Sequence, residues 1–338
     1  MKVLITGASG FLGQYVVAEA LRQGYTVQAV VRPMTNVDKI SWSNHPNIEW
    51  VRLDLRSPKG WLDVLQSTDA VIHLAAVKAG DFYDQFAGTV MATENLLAGM
   101  AQAKVFKLIL TSTFSVYDYL HLKPNTVLDE ETPLEANPDN RDEYAQTKLI
   151  QEQLIRQFEN DHGAKVTILR PGMIYGRECL WHALLGAEIG ENRWLKIGGK
   201  AILPMSYVEN CAEAIVVALS SEAAEGRTIN VVDDNLPTQN EYIEGLLKRT
   251  ENPPQLIPVS WFIMRTIAHL AWWVREVWLE GKARLPGILV PAKLYARFNS
   301  LRYSNSLAHE LLRWEPRYSF DEALNRSYSS KDLFEIQR

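Results

Sequence analysis

The sequence predicts an α/β fold in which a doubly wound parallel sheet is followed by a smaller, mostly helical C-terminal lobe. Short apolar runs alternate with helical segments through about residue 176, and this alternation is typical of a parallel sheet covered by helices. A glycine-rich turn joins the first apolar run to the first helix. Beyond residue 176 the alternation loosens and prolines become frequent, which indicates a second lobe.

The individual elements follow from hydrophobic spacing. Apolar and β-branched runs predict the strands Val3–Thr6, Val27–Val31, Ile48–Asp54, Ala70–Leu74, Lys107–Ser112, Val166–Arg170 and Thr228–Val232. Apolar residues at three- and four-residue spacing predict the helices Leu12–Gln23, Val90–Gln102, Tyr144–Asn160 and Val208–Leu219. We therefore expect residues 1–175, with 208–233 returning to them, to form the first domain. The segment Tyr175–Pro204 is expected to form loops and short helices, and residues 176–207 and 234–338 would form the second lobe.

Composition and charge argue against several function classes. The chain has 338 residues, 47% hydrophobic and 22% charged, as in an ordinary globular protein. Its net charge of -5 disfavours bulk binding to nucleic acid, which requires a basic surface. Two cysteines, Cys179 and Cys211, are too few for a disulfide framework and support no metal site. The chain opens on an apolar strand without a signal-peptide pattern, so we expect a cytosolic protein.

The tryptophan-rich segment Trp261–Trp278 invites comparison with a membrane span. Charged and polar residues interrupt it well short of the roughly 20 apolar residues that a span needs; they are Arg265, His269, Arg275 and Glu276. We expect a buried amphipathic helix of the second lobe. The alternative is docking on a membrane surface or on an apolar substrate.

Three glycines shape the turn after the first strand. Gly7 permits a tight turn, Gly10 lets backbone amides approach a diphosphate, and Gly13 lets helix and strand pack closely. The diphosphate charge would be stabilised at the N-terminus of the helix that follows. The turn therefore predicts a dinucleotide site at Gly7, Ser9, Gly10, Phe11, Leu12 and Gly13.

The Gly-x-x-Gly-x-x-Gly spacing of this turn resembles the extended branch of the short-chain dehydrogenase/reductase superfamily, which has a Rossmann-type sheet. The resemblance implies that Asp54 and Leu55 lie beside the adenine of the cofactor. It also implies that Leu74, Ala75 and Ala76 border the adenosine and phosphates, and that backbone groups near Pro171 meet the nicotinamide carboxamide.

The residue after the second strand bears on the choice between NAD and NADP. A carboxylate there would bind the ribose 2′-hydroxyl of NAD, whereas a cation would accept the 2′-phosphate of NADP. The chain has Arg32 at this point and no acid before Asp38. NADP is therefore favoured over NAD, the alternative being that Arg32 is only a solvated loop residue.

Tyr144 and Lys148 lie one helical turn apart on the same face. A free phenol has a pKa near 10, and we expect the ammonium group and the positive nicotinamide to lower it. Tyr144 would then take a proton from a substrate hydroxyl, or give one in the reverse reaction. By resemblance to the family, Lys148 would also hold the nicotinamide ribose, and Thr113 would orient the substrate oxygen. The alternative for Thr113 is that it only satisfies backbone groups at the strand end.

The extended branch includes hydroxysteroid dehydrogenase-like enzymes, dihydroflavonol reductases, and nucleotide-sugar epimerases and dehydratases. Sugar-nucleotide enzymes typically carry an asparagine where this chain has Met173, which cannot donate the same hydrogen bonds. Arg193, Lys196 or Arg284 could still contact phosphate. We expect an NAD(P)-dependent oxidoreductase acting on a small, apolar hydroxy or keto compound.

Three further expectations accompany this function. The alternatives are a nucleotide-sugar epimerase or dehydratase, and a non-catalytic NADP-sensing protein. The resemblance implies a homodimer formed by helices Val90–Gln102 and Tyr144–Asn160 of two copies, unless their apolar faces are used wholly on the sheet. We expect no metal, no nucleic acid and no transmembrane segment.

Overall fold

A seven-stranded parallel sheet forms the centre of the protein, which a computed structural model describes for residues 1–278 and 285–329. The strands of the described residues are β1 Lys2–Thr6, β2 Thr26–Val31, β3 Ile48–Arg52, β4 Ala70–His73, β5 Lys107–Thr111, β6 Val127–Leu128, β7 Lys165–Pro171, β8 Met173–Tyr175, β9 Gly186–Glu188, β10 Arg193–Ile197, β11 Met205–Tyr207, β12 Thr228–Val231, β13 Gln255–Val259 and β14 Arg302–Tyr303.

The helices lie between these strands and in the C-terminal part. They are α1 Phe11–Arg22, α2 Trp61–Leu65, α3 Phe82–Gln85, α4 Ala92–Ala103, α5 Glu143–His162, α6 Val208–Val217, α7 Gln239–Leu247, α8 Trp261–Trp278, α9 Pro291–Phe298, α10 Ser306–Leu312 and α11 Phe320–Tyr328. Short helical turns cover Phe86–Met91, Phe114–Val116, Pro138–Asn140 and Gly287–Leu289.

The main sheet has the strand order β12-β7-β5-β4-β1-β2-β3, and every neighbouring pair is parallel. The chain proceeds from β1 towards β3 and then crosses back to β4, so the order reverses between β1 and β4. In open parallel sheets, ligands bind at such a reversal, outside the carboxyl ends of the strands. The fold class predicted from the sequence is confirmed.

Helices cover both faces of the sheet because alternate residues of each strand point to opposite sides. Val3 and Ile5 belong to a core shared with α1 and α6, whereas Leu4 belongs to a second core shared with α2, α4 and α5. The strands are almost continuously apolar, as expected when both faces are buried. Each of the seven predicted strands is present, with ends that differ by one or two residues.

The second lobe contains more strand than the sequence predicts. Within the expected loop region, β9 and β10 form an antiparallel pair, and β13 joins β10 in parallel. The expectation of loops and short helices in Tyr175–Pro204 is therefore wrong at β9 and β10. Strand β10 pairs with β13, which lies some sixty positions later in the chain, and hydrophobic spacing cannot reveal such a distant partner. The division of the chain into two lobes stays a prediction.

Helix α8 has the predicted bounds but not the predicted burial. Only Met264 and Ala268 are buried along its length. One side of α8 packs on β10 and α9. Because most of its other side chains are not buried, the expectation of a buried helix is wrong. No helix among the described residues is long and apolar enough to cross a membrane.

Candidate active site

The glycine turn has a backbone geometry that excludes side chains. Gly7 has φ +71°, and a Cβ atom there would come within 3.1 Å of the Ala75 nitrogen. A Cβ on Gly13 would lie 2.0 Å from the Gly7 carbonyl oxygen, far closer than any van der Waals contact. The sequence therefore requires glycine at these two positions for α1 to start directly behind β1.

The N-terminus of α1 is open to an anion. Gly10 is the N-cap residue, no side chain caps the helix, and no acidic residue lies in its first turn. The first amides of the helix therefore lack a partner from a capping side chain, and the helix dipole favours a negative group there. Ser9, Phe11 and Leu12 surround this end of the helix. The cradle fits a dinucleotide diphosphate, although cofactor contact by these residues stays a prediction.

The loop after β4 lies directly against the glycine turn. Thr6 Oγ1 accepts hydrogen bonds from the backbone amides of Leu74 and Ala75, at 3.2 Å each. The Thr89 hydroxyl accepts a bond from the Val77 amide at 3.0 Å. The segment containing Leu74, Ala75 and Ala76 is thus fixed at the β1–β4 reversal.

Three guanidinium groups, those of Arg32, Arg52 and Arg56, lie near the carboxyl end of β3. Arg56 forms an ion pair with Asp54 at 2.8 Å and lowers the pKa of that carboxyl to about 2, with a smaller contribution from Arg32. The Arg52 guanidinium donates to the carbonyls of Pro33 and Thr35, which fixes the loop after Arg32. Arg32 itself is exposed, and nothing among the described residues bonds its side chain. Leu55 follows Asp54, and its carbonyl accepts from the Asn95 side chain.

Thr113 follows the end of β5 and lies near the first turn of α5. Its hydroxyl accepts a hydrogen bond from the Ser115 amide at 3.2 Å and donates to the Ser115 hydroxyl at 3.3 Å, and it is close enough to the Tyr144 hydroxyl to lower the pKa of that phenol. The backbone cap considered for Thr113 is therefore present, and its orientation of a substrate oxygen stays a prediction. Asp142 caps α5 by accepting from the Ala145 amide, so Tyr144 lies in the first turn of a well-defined helix.

The pKa of Tyr144 moves in the opposite direction to the one expected from the sequence. Burial raises the pKa of this phenol to about 12, and the nearby Thr113 hydroxyl lowers it only in part. The protein's own residues therefore keep Tyr144 protonated at neutral pH. Lys148 does not lower the pKa of Tyr144 as expected, because its ammonium group is bonded to other oxygens.

Lys148 is buried and bonded to two oxygens. Its Nζ donates to the Thr111 carbonyl at 2.8 Å and to Gln151 Oε1 at 2.7 Å. Burial, followed by the charge of Lys78, lowers the pKa of Lys148 to about 7. Beside it, the buried Thr111 and Ser112 hydroxyl oxygens have no hydrogen-bond partner among the described residues. These two groups are available to a bound molecule.

A buried chain of hydrogen bonds runs from Lys148 to the glycine turn. Gln151 Nε2 donates to Thr93 Oγ1 at 2.8 Å and lies 3.2 Å from His73 Nε2. His73 Nδ1 is 2.7 Å from Thr6 Oγ1. Sequence reasoning missed Gln151 and His73, although Gln151 lies one turn beyond Lys148 on the same helix.

Lys78 is a third residue that sequence reasoning missed. Its Nζ lies 5.8 Å from the centre of the Tyr144 ring, although the two residues are 66 positions apart in the chain. No acidic side chain among the described residues pairs with it. The only sequence signal was its place two residues beyond Ala76.

The remaining predicted residues lie at the far side of the sheet opening. Pro171 ends β7 and pairs in register with Val231, next to the end of β5 that leads to Thr113. Met173 begins β8. Among the phosphate-contact alternatives, Lys196 donates to Asn240, Arg193 is exposed, and Arg284 lies outside the described residues. Groups of side chains able to hold a metal ion are absent from the described part of the chain.

Several proteins are similar to this chain over most of its length. A 2-alkyl-3-oxoalkanoate reductase of Stenotrophomonas maltophilia (strain K279a) is 29% identical, with 98% of this chain and 99% of that protein covered. A sterol-4-alpha-carboxylate 3-dehydrogenase, decarboxylating, of Bos taurus is 24% identical, with 96% and 91% covered. The chain spans 61% of a longer Arabidopsis thaliana relative.

A solved structure has the same fold. The UDP-glucuronic acid 4-epimerase of Bacillus cereus in complex with NAD aligns with a TM-score of 0.72 and 21% identity, covering 97% of each chain. A family model described as "NAD dependent epimerase/dehydratase family" matches residues 3–231, which include the glycine turn and the Tyr144–Lys148 helix. The chain therefore belongs to the NAD dependent epimerase/dehydratase family and is an NAD(P)-dependent enzyme of the dehydrogenase, reductase or epimerase type.

Proposed function

We propose that this protein reduces a small keto compound with a nicotinamide cofactor, Tyr144 donating the proton to the carbonyl oxygen. The observation that carries the proposal is the placement of Tyr144 beside Thr113, which is close enough to lower the pKa of the phenol, with Lys148 one turn further along α5. The nicotinamide supplies the hydride when bound. Thr113 orients the oxygen that Tyr144 protonates, and Lys148 holds the ribose side of the site.

The reductive direction follows from the protonation of Tyr144. Its pKa of about 12 keeps the hydroxyl proton in place at neutral pH, as a general acid requires. An oxidation would first have to remove that proton. Bound oxidised nicotinamide would lower this pKa through its positive charge. The reverse reaction is therefore still possible, although it is slower than the reduction.

Lys78 indicates the substrate class. Its ammonium group faces the same space as Tyr144, lowers the pKa of Lys148, and has no acidic partner among the described residues. A carboxylate on the substrate would supply the missing counter-charge. Two relatives bear names that put a carboxylate close to the reacting position, a 3-oxoalkanoate and a sterol-4-alpha-carboxylate oxidised at position 3. We therefore take the substrate to be a 3-oxo acid with an apolar substituent.

NADP is the cofactor that Arg32 favours. The guanidinium is exposed beside the end of β2 and close enough to Asp54 to lower its pKa. A 2′-phosphate would bring a stronger anion to the same place. An Arg32→Ala variant would lose most of its preference for NADPH over NADH in a fluorescence titration. An unchanged preference between the two cofactors would refute the assignment.

A homodimer through α4 and α5 is part of the proposal. The most apolar residues of these helices, Leu96, Met100, Ile155 and Phe158, are used on the sheet, which supports the alternative in part. A groove of about 350 Å³ nevertheless runs between the two helices. A cytosolic location likewise stays a prediction.

An epimerase is the second candidate, because the fold is equally that of UDP-sugar epimerases. The two functions differ in net cofactor turnover. An epimerase returns its hydride to the same substrate, so the product is inverted and the cofactor is unchanged. Met173, in place of an asparagine, gives a sugar diphosphate fewer hydrogen bonds.

One experiment tests the function and the substrate class together. Oxidation of NADPH is followed by absorbance with a 2-alkyl-3-oxo acid, its methyl ester, the corresponding plain ketone and a panel of UDP-sugars. We expect turnover of the acid and slower turnover of the ester. Tyr144→Phe would lower turnover of both about 10²- to 10⁴-fold while leaving NADPH binding intact.

Lys78→Gln separates the two parts of the proposal. We expect KM for the acid to rise about tenfold or more, since a charge-assisted hydrogen bond is lost, with the ester unaffected. Equal losses for acid and ester, or weaker NADPH binding, would remove the carboxylate role and leave the reductase. Inverted UDP-sugar without NADPH oxidation would instead establish the epimerase.

A further inference from the structure

Helix α8 presents a continuous apolar face to solvent. Residues at alternating four- and three-residue spacing from Ile263 to Val277 lie along one side of the helix. Leu270 is 60% exposed and Trp273 is 53% exposed. The exposed apolar side chains of this face and its borders are Phe262, Ile263, Ile267, Leu270, Trp273, Val274, Val277 and Trp278. A contiguous apolar patch of this kind marks an interaction surface.

The opposite side of α8 is firmly attached to the protein. Met264 and Ala268 lie in a separate small core with Leu294 and Phe298. The Trp261 ring also contacts the Tyr295 ring at 5.5 Å. Because one side is anchored on α9 and β10, the apolar side is held outwards, and no described element covers it.

The charge around α8 differs in sign from that of the chain. The described residues among 261–300 contain four Lys or Arg and one Glu, a net charge of +3, in a chain whose net charge is -5. The Arg265 guanidinium lies over the Phe262 ring and that of Arg275 over the Trp272 ring, at the border of the apolar face. Such a surface complements anionic headgroups. It opposes a second copy, which would bring two cationic segments together.

The aromatic residues of α8 also favour a membrane surface. Tryptophan is enriched at the boundary between membrane and water, and Trp272, Trp273 and Trp278 lie in the second half of the helix. A helix with bulky apolar residues on one face and arginines at its border lies in the plane of such a boundary. We propose that α8 docks this protein on the surface of an anionic phospholipid bilayer.

Sedimentation of the full-length protein with vesicles tests the proposal. We expect binding to phosphatidylcholine vesicles that contain phosphatidylserine, weaker binding to pure phosphatidylcholine, and a decrease as salt is added. Leu270→Glu and Trp273→Glu would each weaken binding about tenfold or more. Ile189→Glu, which alters an exposed apolar residue in the turn between β9 and β10, is the matched control and would bind as the unaltered protein does.

Folding and assembly are checked on the same variants. Both helix positions are exposed, so unfolding temperature and activity on a soluble ketone are expected to be unchanged. The proposal is overturned if the same fraction of protein sediments in the presence and absence of vesicles that contain phosphatidylserine. It is also overturned if Ile189→Glu weakens vesicle binding as much as Leu270→Glu and Trp273→Glu do. A protein that is dimeric without vesicles and becomes monomeric on Leu270→Glu also overturns it, because α8 would then bind a second copy.

Discussion

At the scale of single residues, His73 combines full burial with a polar role. It bonds Thr6 beside the glycine turn and Thr93 behind the catalytic helix. Burial lowers the pKa of His73 to about 3, with a smaller effect from the charge of Lys148. The imidazole is therefore neutral in the folded protein at every physiological pH. Its neutrality avoids a second buried cation close to Lys148.

This burial predicts a loss of stability in acid. Between about pH 6.5 and pH 3 the unfolded chain binds a proton at His73 and the folded protein does not, so stability falls as pH falls. The slope is about 1.4 kcal/mol per pH unit for one such group. His73→Gln would flatten the pH dependence of the free energy of unfolding by about that amount, as measured by urea unfolding from pH 7 to pH 4.

A second histidine provides the comparison. His182 is also buried, and burial lowers its pKa to about 3, so His182→Gln would flatten the curve to a similar extent. The exposed His121 is the control, and its replacement would leave the slope unchanged. Identical slopes for the original protein and His73→Gln would show that His73 is protonated in the folded state.

The sequence predicted the residues of the site whose role depends on local backbone. Gly7 and Gly13 are recognisable because a turn and a helix follow a strand within a few positions, and Tyr144 and Lys148 because they share one helix face. Lys78 was not predictable in the same way. Its contact with Tyr144 depends on the path of the loop after β4, which joins positions far apart in the chain.

At the scale of elements, a buried ion pair ties the catalytic helix to the sheet. Arg170 on β7 makes two hydrogen bonds to Glu152 on α5, at 2.9 and 2.6 Å, and both side chains are less than a tenth exposed. Arg170 also donates to the Tyr117 hydroxyl at 3.1 Å. The pair therefore fixes α5, and Tyr144 with it, relative to the end of β7.

Removing one partner should cost more than removing both. Arg170→Met leaves the Glu152 carboxylate buried without its cation and is expected to lower the free energy of unfolding by about 3–5 kcal/mol. Combining it with Glu152→Leu should restore much of that loss, because no buried charge remains. Urea unfolding measures both. Glu49→Gln, in an exposed ion pair with Lys2, should change stability by less than about 1 kcal/mol.

The contrary result would be a double variant as unstable as Arg170→Met alone. The loss would then come from packing and from the Tyr117 bond rather than from the charge.

Pattern reasoning predicted α5 and β7 as elements but not this pair. It also predicted α8 with its correct bounds and the wrong environment, since an apolar stripe has the same spacing whether protein or solvent lies beside it.

At the scale of the whole molecule, two surfaces compete as the place of assembly. The α4–α5 groove is lined by small and apolar side chains, among them Ala98, Ala101 and Leu154. Charged residues such as Glu94 lie at its edge. Helix α8 is more apolar, but its surroundings are cationic. Like charges oppose self-association at α8, so a dimer should form through α4 and α5, whose groove has two carboxylates, Glu94 and Asp161, among mostly uncharged lining residues.

Sedimentation velocity over a range of concentrations distinguishes these surfaces. Ala98→Arg, an exposed position of α4, would introduce a bulky cation facing its counterpart across the proposed two-fold axis, and we expect it to convert dimer into monomer. Leu270→Glu on α8 would leave the dimer intact. Since α5 carries Tyr144, the monomer should also turn over more slowly. If the unsubstituted protein is monomeric at all concentrations, the α4–α5 dimer is refuted. The proposed roles of Thr113, Tyr144 and Lys148 would stand, because they need no second copy of the chain.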